Sequence, residues 1–253
     1  MTSTLEGTTS NDSRPLWRLL FGIIDRPAET FRAVLARRQW TMWLAPLLVL
    51  GAAFAVFSVV NLPHAQELAR QQAERQLASL PAEQAATARA TLDTTLSTPV
   101  MLATTLGFGS AALLIGLLAQ ATFLYFSALI AGGDDMNFGA VFTMSSWTKL
   151  PQAINFLVQT GFVAFSGAAI NYPGLSALVG SGDLMTDARN PFFVLLAQID
   201  LFWLWHLLLV VVGLAVVARL SRVKSLVLTL IYAALALGLT VLPTVLFSGM
   251  MGG

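Results

Sequence analysis

The sequence predicts an all-α integral membrane protein: a bundle of five transmembrane helices, with N-terminal amphipathic interfacial helices and an extracytoplasmic helical hairpin between spans 1 and 2. Three uncharged runs predict it. Thr94 through Gly133 holds 40 residues without a formal charge, Leu150 through Gly182 holds 33, and Ser225 through Gly253 holds 29. An apolar run of about 20 residues is enough to cross a bilayer as a helix. Charged residues make up 11% of the chain and hydrophobic residues 56%, where a soluble domain carries about 25% charged residues. A soluble fold of 253 residues has no room to hide runs of this kind.

The composition also excludes functions. A net charge of +1 gives no footprint for nucleic acid. There is no cysteine, so disulfides, thiolate nucleophiles and cysteine metal sites are ruled out. The two histidines, His64 and His206, are far apart in sequence and no HExxH spacing occurs, so no zinc site is expected. No GxSxG elbow or other nucleophile–base arrangement points to an enzyme, and no cofactor is expected. The opening residues lack the charged n-region and short apolar core of a signal peptide, so the first span is expected to remain uncleaved.

The elements follow in order. Residues 1–13 are rich in Ser, Thr, Asn and Asp and read as a disordered tail. Residues 14–40 form a cytoplasmic amphipathic segment. Leu16, Leu19, Leu20 and Ile23 recur at helical spacing, widened by Trp17, Phe21 and Ile24. Asp25-Arg26-Pro27 breaks the segment into two short helices, with Asp25 as expected N-cap and Pro27 in the first turn. Trp17, Arg18, Arg32, Arg37 and Arg38 are the candidate membrane-surface contacts. Arginine beside Trp, Phe and Leu on helices too short to span is what an interfacial helix requires. The competing reading is a helix packed on a protein partner.

Residues 41–253 form one membrane domain, with spans at 41–62, 101–131, 139–170, 192–218 and 226–247. Trp40 and Trp43 stand where indole rings favour the headgroup level. Residues 63–97 mix both charge signs and read as an extracytoplasmic helical hairpin lying over the bundle, with a second helix starting at Leu80-Pro81-Ala82-Glu83. Gly107, Ala111 and Gly116 are expected to allow close helix packing in span 2. Gly132-Gly133-Asp134-Asp135 reads as a solvated turn. Six arginines precede span 1 and Arg219, Arg222 and Lys224 lie between spans 4 and 5, against Arg70, Arg75, Arg89 and Arg189 on the other side. This nine-to-four asymmetry predicts a cytoplasmic N-terminus and an extracytoplasmic C-terminus.

Ionisable groups at membrane depth are costly and mark functional sites by default. Span 3 carries Lys149, Gln152, Asn155 and Gln159; at about 100° per residue, Lys149, Gln152 and Gln159 fall within about 80° of one another, with Asn155 turned away from Lys149. Span 4 carries Asp200 and His206. Counted along their helices, Lys149 and Asp200 both lie near mid-depth, which predicts a salt bridge between them. The candidate intramembrane polar site is therefore Lys149, Gln152, Gln159, Asp200 and His206. It reads either as an ion relay or lipid-headgroup groove, or as polar glue that fixes helix register.

The order of several short motifs resembles the bacterial Yip domain family, relatives of the Ypt/Rab-interacting membrane proteins. The motifs are Arg26-Pro27-Ala28-Glu29-Thr30-Phe31 before span 1, the Gly132-Gly133 turn followed by Phe138 and by Trp147-x-x-x-Pro151, and the passage from Trp203 through Arg219-Leu220-Ser221-Arg222-Val223-Lys224-Ser225. The resemblance covers about residues 16–246. It implies a five-span bundle with a cytoplasmic N-terminus and supplies no catalytic residues. The GTPase binding of the eukaryotic relatives does not transfer to a cytoplasmic segment this short. The resemblance makes a non-enzymatic scaffold or accessory role in a bacterial inner membrane the expected function, with a membrane-protein partner, a homo-oligomer and the bilayer itself as expected associations. A small transporter or lipid-translocating protein using Lys149 and Asp200 is the alternative.

Overall fold

Proline and glycine set the first corner of the chain. The computed structural model describes residues 15–37 and 39–251; the expected 1–13 tail, Arg14 and Arg38 lie outside the described residues. Helix α1 spans Leu16–Asp25 and α2 spans Pro27–Ala36. Arg26 occupies the corner (φ −133°, ψ 57°) and is the N-cap residue of α2, because the first helical bond runs from the Thr30 N–H to the Arg26 carbonyl at 3.0 Å. This corrects the expected Asp25 cap. Asp25 ends α1 instead, with its carboxylate 3.7 Å from Arg26 Nε.

Helix α3 spans Thr41–Leu77 without interruption, α4 spans Ala82–Thr95 and α5 spans Thr98–Ile130. Residue 62, where span 1 is expected to leave the membrane, falls inside this helix. The helix runs through Pro63 for another four turns, because that proline removes one backbone bond while the following Glu, Gln, Arg and Ala residues all favour helix. At 37 residues α3 is about 55 Å long, well beyond the roughly 30 Å of a hydrocarbon core. Gln66 Nε2 donates to the Leu96 carbonyl at 2.9 Å and lies 3.2 Å from Thr98 Oγ1, which fixes the start of α5 against α3. Beyond that lock, α3 and α4 form a polar helical projection. Helix α4 packs against α3 and α5.

The next two apolar segments are both broken. Residues 138–166 form α6 (Phe138–Trp147) and α7 (Leu150–Ser166), interrupted at Thr148-Lys149. After a loop with a 3-10 turn and the short α8 (Leu184–Asp187) come α9 (Pro191–Ala197) and α10 (Leu201–Val217), bent by 66° across Gln198–Asp200. The last helix, α11, spans Arg222–Met251. Helices α3, α5 and α11 are each long and apolar enough to cross a membrane, and the bent pair α9–α10 makes a fourth candidate. Their most apolar windows are only 22%, 28% and 17% buried inside the protein for α3, α5 and α11. Phe108, Ile130 and Phe165 are at least 78% exposed. Outward apolar faces of this extent fit a hydrocarbon solvent.

The main core gathers α1, α2, α5, α6 and α10 around Leu19, Phe31, Met144, Trp147, Leu209 and Leu214, all fully buried. Gly213 is the close approach in this core: a Cβ there would stand 2.5 Å from Met144 Sδ. The glycines expected to play this part, Gly107 and Gly116, face open space, and Ala111 is exposed. The face of span 2 that packs is instead the one carrying Leu117, Gln120, Ala121, Leu124 and Ala128.

Two turns lie side by side at one end. Arg219 Nη1 is 3.1 Å from Asp135 Oδ2, the Asp134 N–H donates to the Ala218 carbonyl at 3.3 Å, and Lys224 Nζ donates to the Ala131 carbonyl at 2.7 Å. Gly132 (φ 84°) makes the first turn left-handed, where glycine is favoured. Asp134-Asp135, expected as a free solvated turn, remains exposed but is tied to the basic turn after α10.

Candidate intramembrane polar site

The two helix breaks face each other and free backbone groups for side chains to meet. At the first break, Pro151 has no N–H and the Gln152 N–H turns to the Lys149 carbonyl at 3.0 Å. The Thr148 carbonyl therefore has no helical donor. His206 Nδ1 lies 2.7 Å from it. A carbonyl can only accept, so Nδ1 carries the hydrogen. With the hydrogen on Nδ1, His206 Nε2 is an acceptor, and the Tyr232 hydroxyl stands 3.2 Å from it and 3.1 Å from Gln120 Oε1 with one hydrogen to share between the two. Gln120 Nε2 in turn donates to Thr148 Oγ1 at 3.0 Å, and that hydroxyl donates to the Ser145 carbonyl at 2.7 Å. A polar network thus joins α5, α6, α10 and α11 at the break.

At the second break, Asp200 is extended (φ −134°, ψ 177°) and caps α10. Its Oδ1 accepts from the Trp203 N–H at 2.7 Å and its Oδ2 from Asn155 Nδ2 at 2.9 Å. Gln159 Nε2 donates to Asn155 Oδ1 at 2.9 Å. A carboxylate at a helix N-terminus meets both free N–H groups and the positive end of the helix dipole. Asp200 is thus placed by the bend in span 4, not by a partner cation.

The expected Lys149–Asp200 salt bridge is absent among the described residues. The Lys149 ammonium makes no ion pair or hydrogen bond there. The helical count failed because Lys149 sits in the break, as the N-cap of α7, so its direction does not follow the face carried by the rest of that helix. Asn155, which the same count turned away, is the residue that reaches Asp200.

A cavity of about 410 Å³ lies between the breaks. Lys149, Gln152, Asn155, Gln159, Asp200 and His206 all line it, so the whole predicted polar set is brought together, with Asn155 added. Gln198, Trp203, Tyr232 and Thr240 complete its polar wall. Sequence reasoning missed Gln120, Thr148 and Tyr232. Gln120 carried a signal: it is the one amide in the 40-residue uncharged run, and it is 2% exposed. Among the described residues, no three His, Cys, Asp or Glu side chains come together as a metal site.

The predicted surface contacts fall on α1 and α2. Helix α1 has two apolar faces. Leu19 and Ile23 are buried against the bundle, while Trp17, Phe21 and Ile24 are 56%, 68% and 53% exposed along the opposite face. The Arg18 guanidinium carbon lies 5.1 Å from the Trp17 ring centre. Arg32 is exposed on α2, and Arg37 follows it at the C-cap.

No curated protein and no solved structure matches the chain significantly. The Yip1 domain family model matches residues 21–244, a stretch that runs from within α1 into the last turns of α11 and takes in both breaks, the cavity and the paired turns. On that match the chain belongs to the Yip1 domain family.

Proposed function

We propose that the protein is a five-span, non-enzymatic scaffold or accessory protein of a bacterial inner membrane, with its N-terminus cytoplasmic and its C-terminus outside. The observation that carries the scaffold role is how the polar groups are used. Asp200, Asn155, Gln159, His206, Tyr232, Gln120 and Thr148 are bonded to each other or to backbone freed at the breaks. Groups committed in this way hold helix register.

Five spans follow if α6–α7 counts as one crossing. The turn at 132–135 and the turn at 219–224 touch, so α6–α7 and α9–α10 leave that side and return. Helix α2 packs against α10 beside the same turns, which puts the N-terminal arginines and the basic turn on one side, as the positive-inside rule requires of the cytoplasmic face. Helix α1 then lies at the membrane surface, with Trp17, Phe21 and Ile24 in the headgroup boundary and Arg18, Arg32 and Arg37 among the phosphates.

One observation favours the transport reading: Lys149 is a cation on a cavity wall without a bonded partner, suited to an anionic solute or headgroup. Purification of the full chain from native membranes in mild detergent, as wild type and as Lys149→Met, separates the two. The scaffold reading expects a stoichiometric membrane protein retained by both. A chain that carries no protein but a bound anion or lipid, lost on Lys149→Met, would replace it with the transport reading.

A further inference from the structure

A second cavity, of about 730 Å³, lies at the other end of α10, between α10, α2 and the start of α11. Its wall is apolar along Leu208, Val212 and Val216, and Arg32, Arg219 and Arg222 stand at its edge. We propose that this groove binds one anionic phospholipid of the adjacent leaflet, with the phosphate on the three guanidinium groups and an acyl chain along α10.

Charge, length and exposure each support that occupant. Arg32 and Arg222 make no ion pair among the described residues, and Arg219 shares one nitrogen with Asp135. Three guanidiniums against one carboxylate leave a surplus of two positive charges, and guanidinium is the side chain suited to bidentate phosphate recognition. Leu208 lies 11 residues before Arg219, about 16 Å along the helix, close to the roughly 15 Å of one leaflet's hydrocarbon. The depth of the apolar wall below the arginines therefore matches an acyl chain below its headgroup. Leu208 is 58% exposed, so the lower end of the groove opens toward lipid. Basic pockets beside membrane helices are recognised by anionic headgroups. A soluble phosphate would use the arginines and leave the apolar wall uncovered.

Native mass spectrometry of the full chain in detergent tests the site, with phosphatidylglycerol and phosphatidylcholine of identical acyl chains offered in equal amounts. A single phosphatidylglycerol adduct should dominate. In Arg32→Gln/Arg222→Gln the preference should fall roughly thirty-fold, at about five-fold for each guanidinium near the headgroup, while Arg70→Gln/Arg89→Gln on the α3–α4 projection should leave it unchanged. Val212→Trp, which fills the groove and leaves every charge in place, should remove the adduct. Equal binding of the two lipids by the wild type overturns the proposal, as does a preference that survives Val212→Trp. Glycerol 3-phosphate displacing the lipid at equal concentration would make this a soluble-anion site and overturn it too. The wild-type competition and Val212→Trp decide the question even if the arginine double variant fails to fold.

Discussion

The two ends of α10 are held by different physics, and the seam between them is three residues wide. Toward its C-terminus the bundle is dry: Phe31, Met144, Trp147 and Leu214 are fully buried and Gly213 lets α10 close on α6. Toward its N-terminus the bundle opens into a cavity whose walls are amides, an imidazole and two charges. Trp147 belongs to the dry side, Thr148 to the hydrogen-bond network and Lys149 to the cavity. Both ends nevertheless use the same device. Pro46 has no N–H to offer the Met42 carbonyl, and Trp147 Nε1 donates to that carbonyl at 2.6 Å. Beside Pro151 the Gln152 N–H turns to the Lys149 carbonyl and leaves the Thr148 carbonyl open, and His206 fills it at 2.7 Å. In lipid an unsatisfied backbone group costs several kcal/mol, so a carbonyl freed near a proline in one helix is matched by a ring N–H from another.

The comparison is broken most severely at Trp147. Trp147→Ala opens a cavity in the dry half and strands the Met42 carbonyl, and should lower stability by about 3–5 kcal/mol. Trp147→Phe keeps most of the packing and loses the donor, and should cost about 1–3 kcal/mol. Thermal unfolding in detergent reads both. A Phe variant as stable as the parent would mean that packing alone holds this end.

A smaller effect is expected on the wet side, at Asp200. Asp200→Ala removes the cap of α10 and the acceptor of Asn155, at about 1–2 kcal/mol. Asp200→Asn keeps an oxygen for the Trp203 N–H and should recover most of the loss. Amide exchange at 201–203 should accelerate in the Ala variant and stay slow in the Asn variant. Equal exchange in both would show that the charge, rather than the cap, orders the break.

The sequence revealed these two ends unequally, for reasons that lie in particular residues. The apolar runs at α3, α5 and α11 announce themselves because a membrane helix needs length and little else. The polar residues are legible one by one, and Lys149, Gln152, Gln159, Asp200 and His206 share one cavity. Their pairing did not come through. Face arithmetic assumes one continuous helix, whereas Thr148-Lys149 and Gln198–Asp200 interrupt both segments. Aspartate in an apolar span was read as a charge seeking a cation, although it is equally a strong N-cap. The packing of α1 and α2 was legible as amphipathicity, but not that α1 carries two apolar faces, one for the bundle and one left exposed.

The smallest expected effect is the sharpest test of the wet end. Lys149 has no bonded partner, so Lys149→Met removes a charge near mid-bundle without stranding another. Its stability should equal or exceed that of the parent, since an uncompensated charge in a low-dielectric site is a cost rather than a support. The cycle with Asp200→Leu makes the point quantitative. If the two charges act independently, the double variant should be as unstable as Asp200→Leu corrected for the Lys149 change, within about 0.5 kcal/mol. A pair would instead give single variants each about 3–5 kcal/mol less stable and a double variant near the parent. Measured midpoints for the three variants therefore decide whether Asp200 is held by its own helix, as the Trp203 and Asn155 bonds require, or by the lysine across the cavity. If it is held by its own helix, the Lys149 ammonium is free for another ligand, and retention of the membrane partner by Lys149→Met then tells whether that freedom is used.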